Sequence, residues 1–486
     1  MKKLVSLLIA LMMLGSLASF AIADEPVELI WWMFTATDAP LDQAMVQEEL
    51  NKITAEELGV TINCIFIPAD QTGLRMASGE YFDITFTSAW YNDFSMNALD
   101  GRFYNIDGLV QELTPALWES MPEMLWQGAY VKVDGEEQLL AVPVMKDYGI
   151  EIFWIIDIDY FVTEKGMEVP WTMEFAEIEP FLATYKEDHP DEYPLIWSVE
   201  GPTSWRNFVD WILDEAMIAL SYQTVGTEDA TRVQLCFEMP EFIERAETLH
   251  KWYEAGYVNP DAAITQSLAR SAQGVVQSGQ GFYGADAIWS NARQKASAIS
   301  RFDGPFLSTF SLRGSLLAIN AASNHPVEAL KLLEFVNTDK DYRNMMRFGI
   351  EGLHFEFNED GTVTRTQAGM DGYNPVAYTQ GSYSLSAVEA SAFPSVPVDP
   401  NMWQVVWDGY ADAITSAALG FSFDYTPVQA EVFACSAIRE MYWAELATGT
   451  SNPVETFPQI IAELEVAGIR DIIAEAQRQL DAFLAQ

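Results

Sequence analysis

A strand, a helix and a second strand follow one another near the start of the chain, and this order constrains the fold more than any other feature. Val27–Phe34 has the apolar and aromatic content of a strand. Asp38 can cap the helix that follows, and Pro40 suits its first turn. Gly59 ends the helix, and Val60–Ile67 alternates in the manner of another strand. Such a unit is typical of a parallel sheet with helices on its faces, so the sequence predicts an α/β fold.

Further strands and helices follow, and the length of 486 residues suits two or three domains. Leu139–Val144 and Ile150–Ile158 are predicted to be consecutive strands. Helical patterns dominate residues 170–251. The tail from residue 455 onward is also helical, with Gly468 between two helices. We therefore expect an α/β body that ends in a purely helical region.

The chain is strongly acidic, with 71 Asp and Glu residues against 26 Lys and Arg residues and a net charge of −45. A protein that binds duplex nucleic acid needs a basic surface that displaces the counterions of the phosphates. An anionic membrane surface attracts basic segments for the same reason. The composition therefore argues against nucleic acid and against anionic membranes as partners.

The N-terminus has the three parts of a secretory signal peptide. Lys2 and Lys3 form a basic start, Leu4–Leu14 is apolar, and Ala21-Ile22-Ala23 fits the small-x-small rule for cleavage. We expect cleavage after Ala23 and an extracytoplasmic mature protein that starts at Asp24. No later stretch has the roughly 18 apolar residues of a membrane-spanning helix. No cysteine directly follows the leader to carry a lipid anchor.

Motifs for metals and cofactors are weak. Cys64, Cys236 and Cys435 lie far apart without metal-ligand spacing, so we expect them to be small buried residues. The four histidines are equally scattered, and no metal site is predicted. Gly279–Gly284 formally matches the G-x-G-x-x-G pattern of dinucleotide-binding loops, but it lies in the middle of the chain. We interpret it as a tight loop between a strand and a helix, and we expect no cofactor.

Polar and aromatic residues follow several predicted strands, and ligands of open α/β sheets bind at such strand ends. Ser88–Asn92 follows one strand, and Lys146–Tyr148 follows another. Trp31 and Trp32 lie near the end of the first strand. Aromatic rings stack on the C–H faces of sugars, while carboxylates and amides bind their hydroxyl groups. This combination favours a carbohydrate ligand.

Four segments and the tail, taken in order along the chain, carry a family resemblance. Ala77–Thr87 contains a small-Gly-x-x-x-Asp-Ile element, and Glu137–Pro143 is close to Gly-x-x-Tyr-Ala-Val-Pro, with Leu140 at the tyrosine position. Ile156–Phe161 forms the next strand and turn, and Arg313–Pro326 leads into a helix. In this order the segments resemble the extracellular solute-binding proteins of bacterial ABC importers. The tail is similar to that of a lipoprotein-type subgroup with a C-terminal domain of unknown function.

The resemblance implies a type II periplasmic-binding-protein fold, in which two α/β lobes are joined by crossing hinge strands and hold a ligand between them. The crossings are expected near Pro143–Lys146 and Arg313–Leu316. A helical C-terminal region would pack on the lobes. The expected boundaries are 1–23 for the signal peptide, 24–144 with 316–350 for the first lobe, 145–315 with 351–430 for the second lobe, and 431–486 for the C-terminal region.

The same resemblance implies a binding protein rather than an enzyme. It would capture a sugar or oligosaccharide and deliver it to the transmembrane permease subunits of an ABC importer, and we expect it to act as a monomer. Two alternatives remain open. One is a secreted glycosidase that uses a Glu/Asp pair, because carboxylates are abundant. The other is a binder of peptides or metal chelates on the same fold.

The ligand site is predicted from the strand ends and the crossings. Residues at these places should face the cleft, where aromatic side chains stack on sugar rings and polar side chains bind hydroxyl groups. For Arg313 a salt bridge within the hinge is an equally good interpretation. The predicted ligand-binding residues are Trp32, Trp90, Tyr91, Asn92, Asp147, Tyr148, Tyr283, Trp289 and Arg313. No catalytic residue and no metal ligand is predicted.

Overall fold

A computed structural model describes residues 25–36 and 38–485 and arranges them around two main sheets. The predicted signal peptide and its cleavage site after Ala23 lie outside the described residues. Within the first sheet, Leu316–Ile319 runs antiparallel to both of its neighbours, and the other pairs are parallel. In spatial order the strands of the first sheet are Val60–Pro68, Val27–Thr35, Ile84–Thr87, Leu316–Ile319 and Val142–Pro143.

The second main sheet has Ile150–Asp157 near its centre, antiparallel to both neighbouring strands. In spatial order its strands are Val276–Gly281, Ile150–Asp157, Ser297–Leu307 and Ile414–Thr415. A smaller antiparallel sheet and two hairpins complete the strands. The smaller sheet contains Gln234–Leu235, Ile218–Ser221 and Val209–Leu213, and the hairpins are Tyr130–Val133 with Glu136–Leu139 and Phe355–Phe357 with Val363–Arg365.

Helices connect these strands, and three long helices form the end of the chain. A π-helical turn, Ile158–Glu164, follows the central strand of the second sheet. The α-helices are Gln43–Glu57, Ala69–Ser78, Phe94–Leu99, Leu109–Leu113, Pro115–Glu119, Glu123–Ala129, Glu179–Asp188, Pro240–Glu254, Ala285–Arg293, Thr309–Leu312, Pro326–Thr338, Lys340–Phe348, Gln367–Gly372, Met402–Gly409, Gln429–Ala447, Pro453–Ala467 and Ile469–Leu484.

Each main sheet lies in a large hydrophobic core of its own, so the chain forms two α/β lobes. The first core contains Trp31 and Phe86 from strands and Leu333 from a helix. It also contains Tyr373, which the expected boundaries assign to the second lobe. The second core contains Trp154 together with residues of the C-terminal helices, which therefore pack on the second lobe. The predicted architecture of two α/β lobes with a helical C-terminal region is confirmed.

The prediction that helical patterns dominate residues 170–251 is wrong in the middle of this range. Val209–Leu213 and Ile218–Ser221 pair as antiparallel strands there. Residues 214–220 include good helix formers, but Met217 adopts a left-handed conformation (φ 56°) that turns the chain between the strands. Pairing and burial of the apolar side chains thus override the local helix preference.

The predicted strand Leu139–Val144 is divided into two elements. Glu136–Leu139 belongs to a hairpin, whereas Val142–Pro143 forms an edge of the first sheet. Proline lacks a backbone N–H, so an edge is where a sheet tolerates it. The interpretation of Gly279–Gly284 as a tight loop holds for its second half: the strand Val276–Gly281 runs through Gly281, and residues 282–284 turn into the helix Ala285–Arg293.

Candidate functional site

Three segments of the chain cross between the two main sheets and lie side by side. The first follows Val142–Pro143, the second precedes Leu316–Ile319, and the third returns from the first core to the strand Ile414–Thr415. Val144 N–H donates to the Ser315 carbonyl at 3.0 Å, which joins the first two crossings. Tyr383 N–H donates to the Met145 carbonyl at 2.9 Å, which joins the first and third. These segments form the connection about which the lobes would move.

A cleft lies between the lobes at these crossings and consists of three adjoining cavities of about 540, 570 and 440 Å³. Trp90 of the first lobe and Phe310 of the second crossing line both larger cavities. Asn207 of the second lobe lines all three. The cleft is therefore continuous from the crossings into the second lobe.

Trp90 presents an aromatic surface to the cleft. Its side chain is 44% exposed, although its indole N–H donates to the Gly314 carbonyl at 2.8 Å. Phe34 packs edge-on against the indole with a ring separation of 5.7 Å, and Tyr378 does so at 6.2 Å. The hydrogen bond and these rings hold the indole in place, so part of its surface is available for a ligand.

The cleft loop, residues 201–208, carries the polar side chains of the second lobe. Trp205 anchors it, because its ring is 2% exposed and stacks on Trp443 at 5.9 Å. Gly201 has a φ of 66°, and a Cβ there would lie 2.0 Å from the Ala447 carbonyl oxygen, so this close approach requires glycine. Ser204 also adopts a positive φ, of 61°. The loop thereby directs Ser204 and Asn207 to the cavities.

Asn207 is the most central polar residue of the cleft. Its backbone N–H donates to the Ser204 carbonyl at 3.0 Å. Within residues 25–36 and 38–485, no group forms a hydrogen bond with its side-chain amide. A half-buried amide that lacks a partner offers both a donor and an acceptor to a ligand.

Lys146, Asp147 and Tyr148 line the 540 Å³ cavity from the first crossing. The Lys146 ammonium donates to the Asp147 carboxylate at 3.0 Å, so the two charges compensate one another. Burial raises the pKa of Tyr148, and chiefly burial raises the pKa of Tyr378 to about 12. Both phenols therefore keep their protons at neutral pH and can donate hydrogen bonds.

Arg313 lies at the edge of the cleft but is bound within the protein. It is 2% exposed and donates to the carbonyls of Gly128 and Tyr130 at 2.8 and 3.0 Å. It also donates to the hydroxyls of Ser95 and Ser422. Burial lowers its pKa to about 10, which leaves the guanidinium charged at neutral pH. Arg313 thus ties the second crossing to the first lobe and to the segment around Ser422.

The predicted site residues divide into those that line the cleft, one that lies outside its cavities, and those that are packed within the lobes. Trp90, Asp147 and Tyr148 line the cleft, as does the edge of Arg313. Tyr283 is 36% exposed and contacts Trp171 edge-on at 5.9 Å, outside the three cavities.

Four predicted contacts lie elsewhere, and each has a structural reason. Trp32 is 2% exposed and packs on Phe82, because both faces of its strand are covered. Tyr91 is buried in the first core, and Trp289 in a small core of the second lobe. Asn92 adopts a φ of 50° in a turn, where its amide donates to the Phe86 carbonyl. These four side chains present no surface to the cleft.

Sequence reasoning missed several residues that line the cleft. Asn207 and Ser204 belong to a segment that was predicted to be helical, although Gly201-Pro202 was a turn signal within it. Phe310 and Tyr378 belong to crossings whose neighbours are distant in sequence. Only the cluster of turn residues could have indicated the cleft loop in advance.

The described residues contain no cluster of histidine, cysteine and carboxylate side chains suited to a metal ion. All three cysteines are free; Cys236 and Cys435 are buried, and Cys64 is half-buried. Within the same described part of the chain, we find no helix with the length and apolar character needed to cross a membrane.

Comparison with known proteins agrees with this architecture. Residues 417–485 match a family model described as a domain of unknown function, DUF3502. The chain is 24% identical over 480 residues to a carbohydrate ABC transporter substrate-binding protein of Streptococcus pneumoniae, a match that covers 95% of this chain and 92% of the relative. The polygalacturonan/rhamnogalacturonan-binding protein YtcQ of Bacillus subtilis is 21% identical over 371 residues, which is 71% of this chain and 70% of the relative.

A solved structure decides the fold. NgtS, an N-glycan transport solute binding protein of Streptococcus pneumoniae, superposes with a TM-score of 0.82 at 20% identity and covers 95% of this chain and 99% of its own. The chain has the fold of a solute-binding protein. The resemblance to ABC-importer solute-binding proteins that the sequence indicates is confirmed along nearly the whole chain, including the C-terminal domain of unknown function.

Proposed function

We propose that the protein is the solute-binding component of an ABC importer and that it captures an oligosaccharide in the cleft between its lobes. The observation that carries this proposal is the composition of the cleft at the crossings. There, an exposed indole of the first lobe (Trp90) lines one cavity together with an amide of the second lobe that has no partner among the described residues (Asn207). An aromatic face and a directional hydrogen-bonding group are the two elements that recognise a sugar ring.

Capture would proceed by closure of the lobes about the three crossings. In the open state each lobe offers only part of the site, and a ligand that contacts both lobes favours the closed state. Trp90 would stack on a sugar ring from one side. Asn207 and Ser204 would bind hydroxyl groups from the other side, and Tyr148 and Tyr378 would donate from the crossings. Because the site is complete only when closed, the closed complex is what a permease could distinguish from the free protein.

The extent of the cleft supports an oligosaccharide rather than a single sugar. The three cavities continue from the crossings to Gln266 and Gln273 in the second lobe. Polar side chains occur along this whole path, so several sugar units could be bound in succession. The name of the Streptococcus relative, a carbohydrate substrate-binding protein, supports the same class of ligand.

The setting of this function follows from the sequence. Cleavage after Ala23 would release an extracytoplasmic protein, and delivery would require the transmembrane permease subunits of an importer. We expect the mature chain to act as a monomer and to have no enzymatic activity. N-terminal sequencing of the exported protein tests the cleavage after Ala23. Its mass in solution tests whether it is a monomer.

One observation favours a glycosidase as the second candidate. Asp210 lines the 570 Å³ cavity, and burial raises its pKa to about 6, which is the range of a general acid. Its carboxylate, however, accepts a hydrogen bond from the Ser416 hydroxyl and is 5% exposed. This contact is a sufficient structural reason for its burial.

Calorimetric titration with a panel of neutral oligosaccharides tests the proposal, with glycoside turnover measured on the same samples. We expect at least one oligosaccharide to bind and none to be hydrolysed. Hydrolysis that is abolished by Asp210→Asn would replace the proposal with the glycosidase. Binding of peptides, with no response to any oligosaccharide, would contradict it as well.

A further inference from the structure

We propose that the cleft selects uncharged oligosaccharides and discriminates against polyuronates. This inference rests on the proposed function and adds the charge of the ligand to it. The question of neutral or charged ligands arises because one relative, YtcQ, is named for binding polygalacturonan and rhamnogalacturonan. A site for a polyuronate must neutralise a carboxylate on each uronic acid unit, so it needs basic side chains that are free to reach the ligand.

Acidic residues outnumber basic residues around the cleft. Of the residues that the structure describes, six acidic and three basic ones line the three cavities. The acidic residues are Asp93, Asp147, Glu200, Asp210, Asp214 and Glu215, and the basic residues are Lys146, Arg206 and Arg313. Among the acidic residues, Asp93, Glu200 and Glu215 are exposed.

Each of the three basic side chains is already paired within the protein. Lys146 donates to the Asp147 carboxylate and to its backbone carbonyl, both at 3.0 Å. Arg313 is buried and uses its donors on two carbonyls and two hydroxyls. A uronate that recruited either of them would have to break these contacts.

Arg206 is paired through one nitrogen, so an acidic residue already compensates its charge. It donates to the Asp214 carboxylate, and its guanidinium lies 5.1 Å from the Trp211 ring and 4.8 Å from the Trp443 ring. The aromatic rings and the carboxylate fix the guanidinium on the side of the second lobe. Among the described residues that line the cleft, every basic side chain therefore already has a partner whose contact a uronate would have to displace or share.

Neutral polar groups also line the cleft. The 540 Å³ cavity is lined by Thr203, Ser204 and Asn207 of the cleft loop and by Gln280 near the crossings. Amides and hydroxyls of this kind bind sugar hydroxyls without requiring a compensating charge. A carboxylate placed among them would meet the exposed Glu215 and the field of a chain with a net charge of −45.

Matched ligand pairs test this inference. β-1,4-Mannotriose is compared with β-1,4-trimannuronate, and cellotriose with its triglucuronate counterpart, by titration calorimetry at low and at moderate ionic strength. A third pair is trigalacturonate and its methyl ester, which share the same sugar backbone and differ in charge and in the ester methyl groups. We expect at least one neutral oligosaccharide to bind. Its uronate counterpart should bind with an affinity that is lower by roughly tenfold or more. Added salt should narrow that gap, because it screens the repulsion.

The outcomes are distinguishable from those that test the proposed function. A uronate that binds at least as tightly as its neutral partner would overturn the charge selectivity while leaving oligosaccharide capture intact. Absence of binding by every neutral and charged probe would contradict both proposals. If the difference in affinity between a neutral oligosaccharide and its uronate counterpart does not change with salt, the discrimination is due to shape. That result would also overturn the electrostatic account.

Discussion

At the scale of single residues, the position of an aromatic side chain relative to a strand end decides whether it can meet a ligand. Trp32 lies within the strand Val27–Thr35 and is buried, whereas Trp90 lies beyond the strand Ile84–Thr87 and is 44% exposed. The sequence places both near a strand end but does not show that both faces of the first strand are covered. Trp90 could therefore be predicted and the burial of Trp32 could not.

Replacement of Trp90 by alanine tests its role in binding. We expect Trp90→Ala to weaken the binding of an oligosaccharide by about 1–3 kcal/mol, because it removes the stacking surface. The melting temperature of the free protein should change little, since the side chain is half exposed. Trp171→Ala is the matched control: Trp171 is also 44% exposed but lies outside the cavities. Equal affinity of Trp90→Ala and the wild type would remove Trp90 from the site.

For Arg313 we predict the opposite of Trp90: its replacement should lower stability. Arg313→Met should lower the free energy of unfolding by about 2–4 kcal/mol, because it leaves the buried carbonyls of Gly128 and Tyr130 without donors. Arg478→Met is the control, since Arg478 is exposed and, within the described part of the chain, pairs only with Glu475 on its own helix. Chemical denaturation of both variants gives the comparison. A stable Arg313→Met variant with lost binding would instead make Arg313 a ligand contact.

At the scale of elements, local patterns predict the strands and helices whose contacts are near in sequence. The βαβ unit at the start of the chain and the helix to which Arg313–Pro326 leads form nearly as expected. The small sheet that contains Val209–Leu213 was missed, because its stability comes from pairing and burial rather than from residue preference. Asn207 was missed together with it, since the cleft loop leads directly into that strand.

The strand Val209–Leu213 also carries a pH dependence. Burial raises the pKa of Asp210 from 3.8 to about 6, so the folded protein holds this proton more tightly than the unfolded chain. The contribution of Asp210 to stability is therefore greatest below about pH 4 and is lost as the pH rises through about 6. Asp210→Asn cannot ionise and should gain stability relative to the wild type over this pH range. Thermal unfolding of both proteins at pH 4 and pH 7 measures the difference, and a difference independent of pH would contradict the assignment.

At the scale of the whole molecule, the arrangement of the three crossings allows the two lobes to move as units. Each lobe has its own core, and the crossings are joined to one another by backbone hydrogen bonds. The C-terminal helices pack on the second lobe and would move with it. The two-lobed fold could be anticipated from the order of the motifs. The composition of the cleft could not, because it joins residues that are separated by more than a hundred positions in the chain, such as Trp90 and Asn207.

Closure should be visible in solution. We expect the radius of gyration from small-angle scattering to fall when an oligosaccharide from the panel binds, because the lobes approach about the crossings. The Trp171→Ala variant should show the same change. Binding that leaves the scattering curve unaltered would indicate a site on one lobe alone.

A crystal structure of the mature protein purified from its native host tests the central claim most directly. The account predicts electron density for a chain of uncharged sugars between the lobes, with one ring on the indole of Trp90 and a hydroxyl within hydrogen-bonding distance of the Asn207 amide. Density for a carbohydrate elsewhere on the surface, or for a peptide in the cleft, would contradict it.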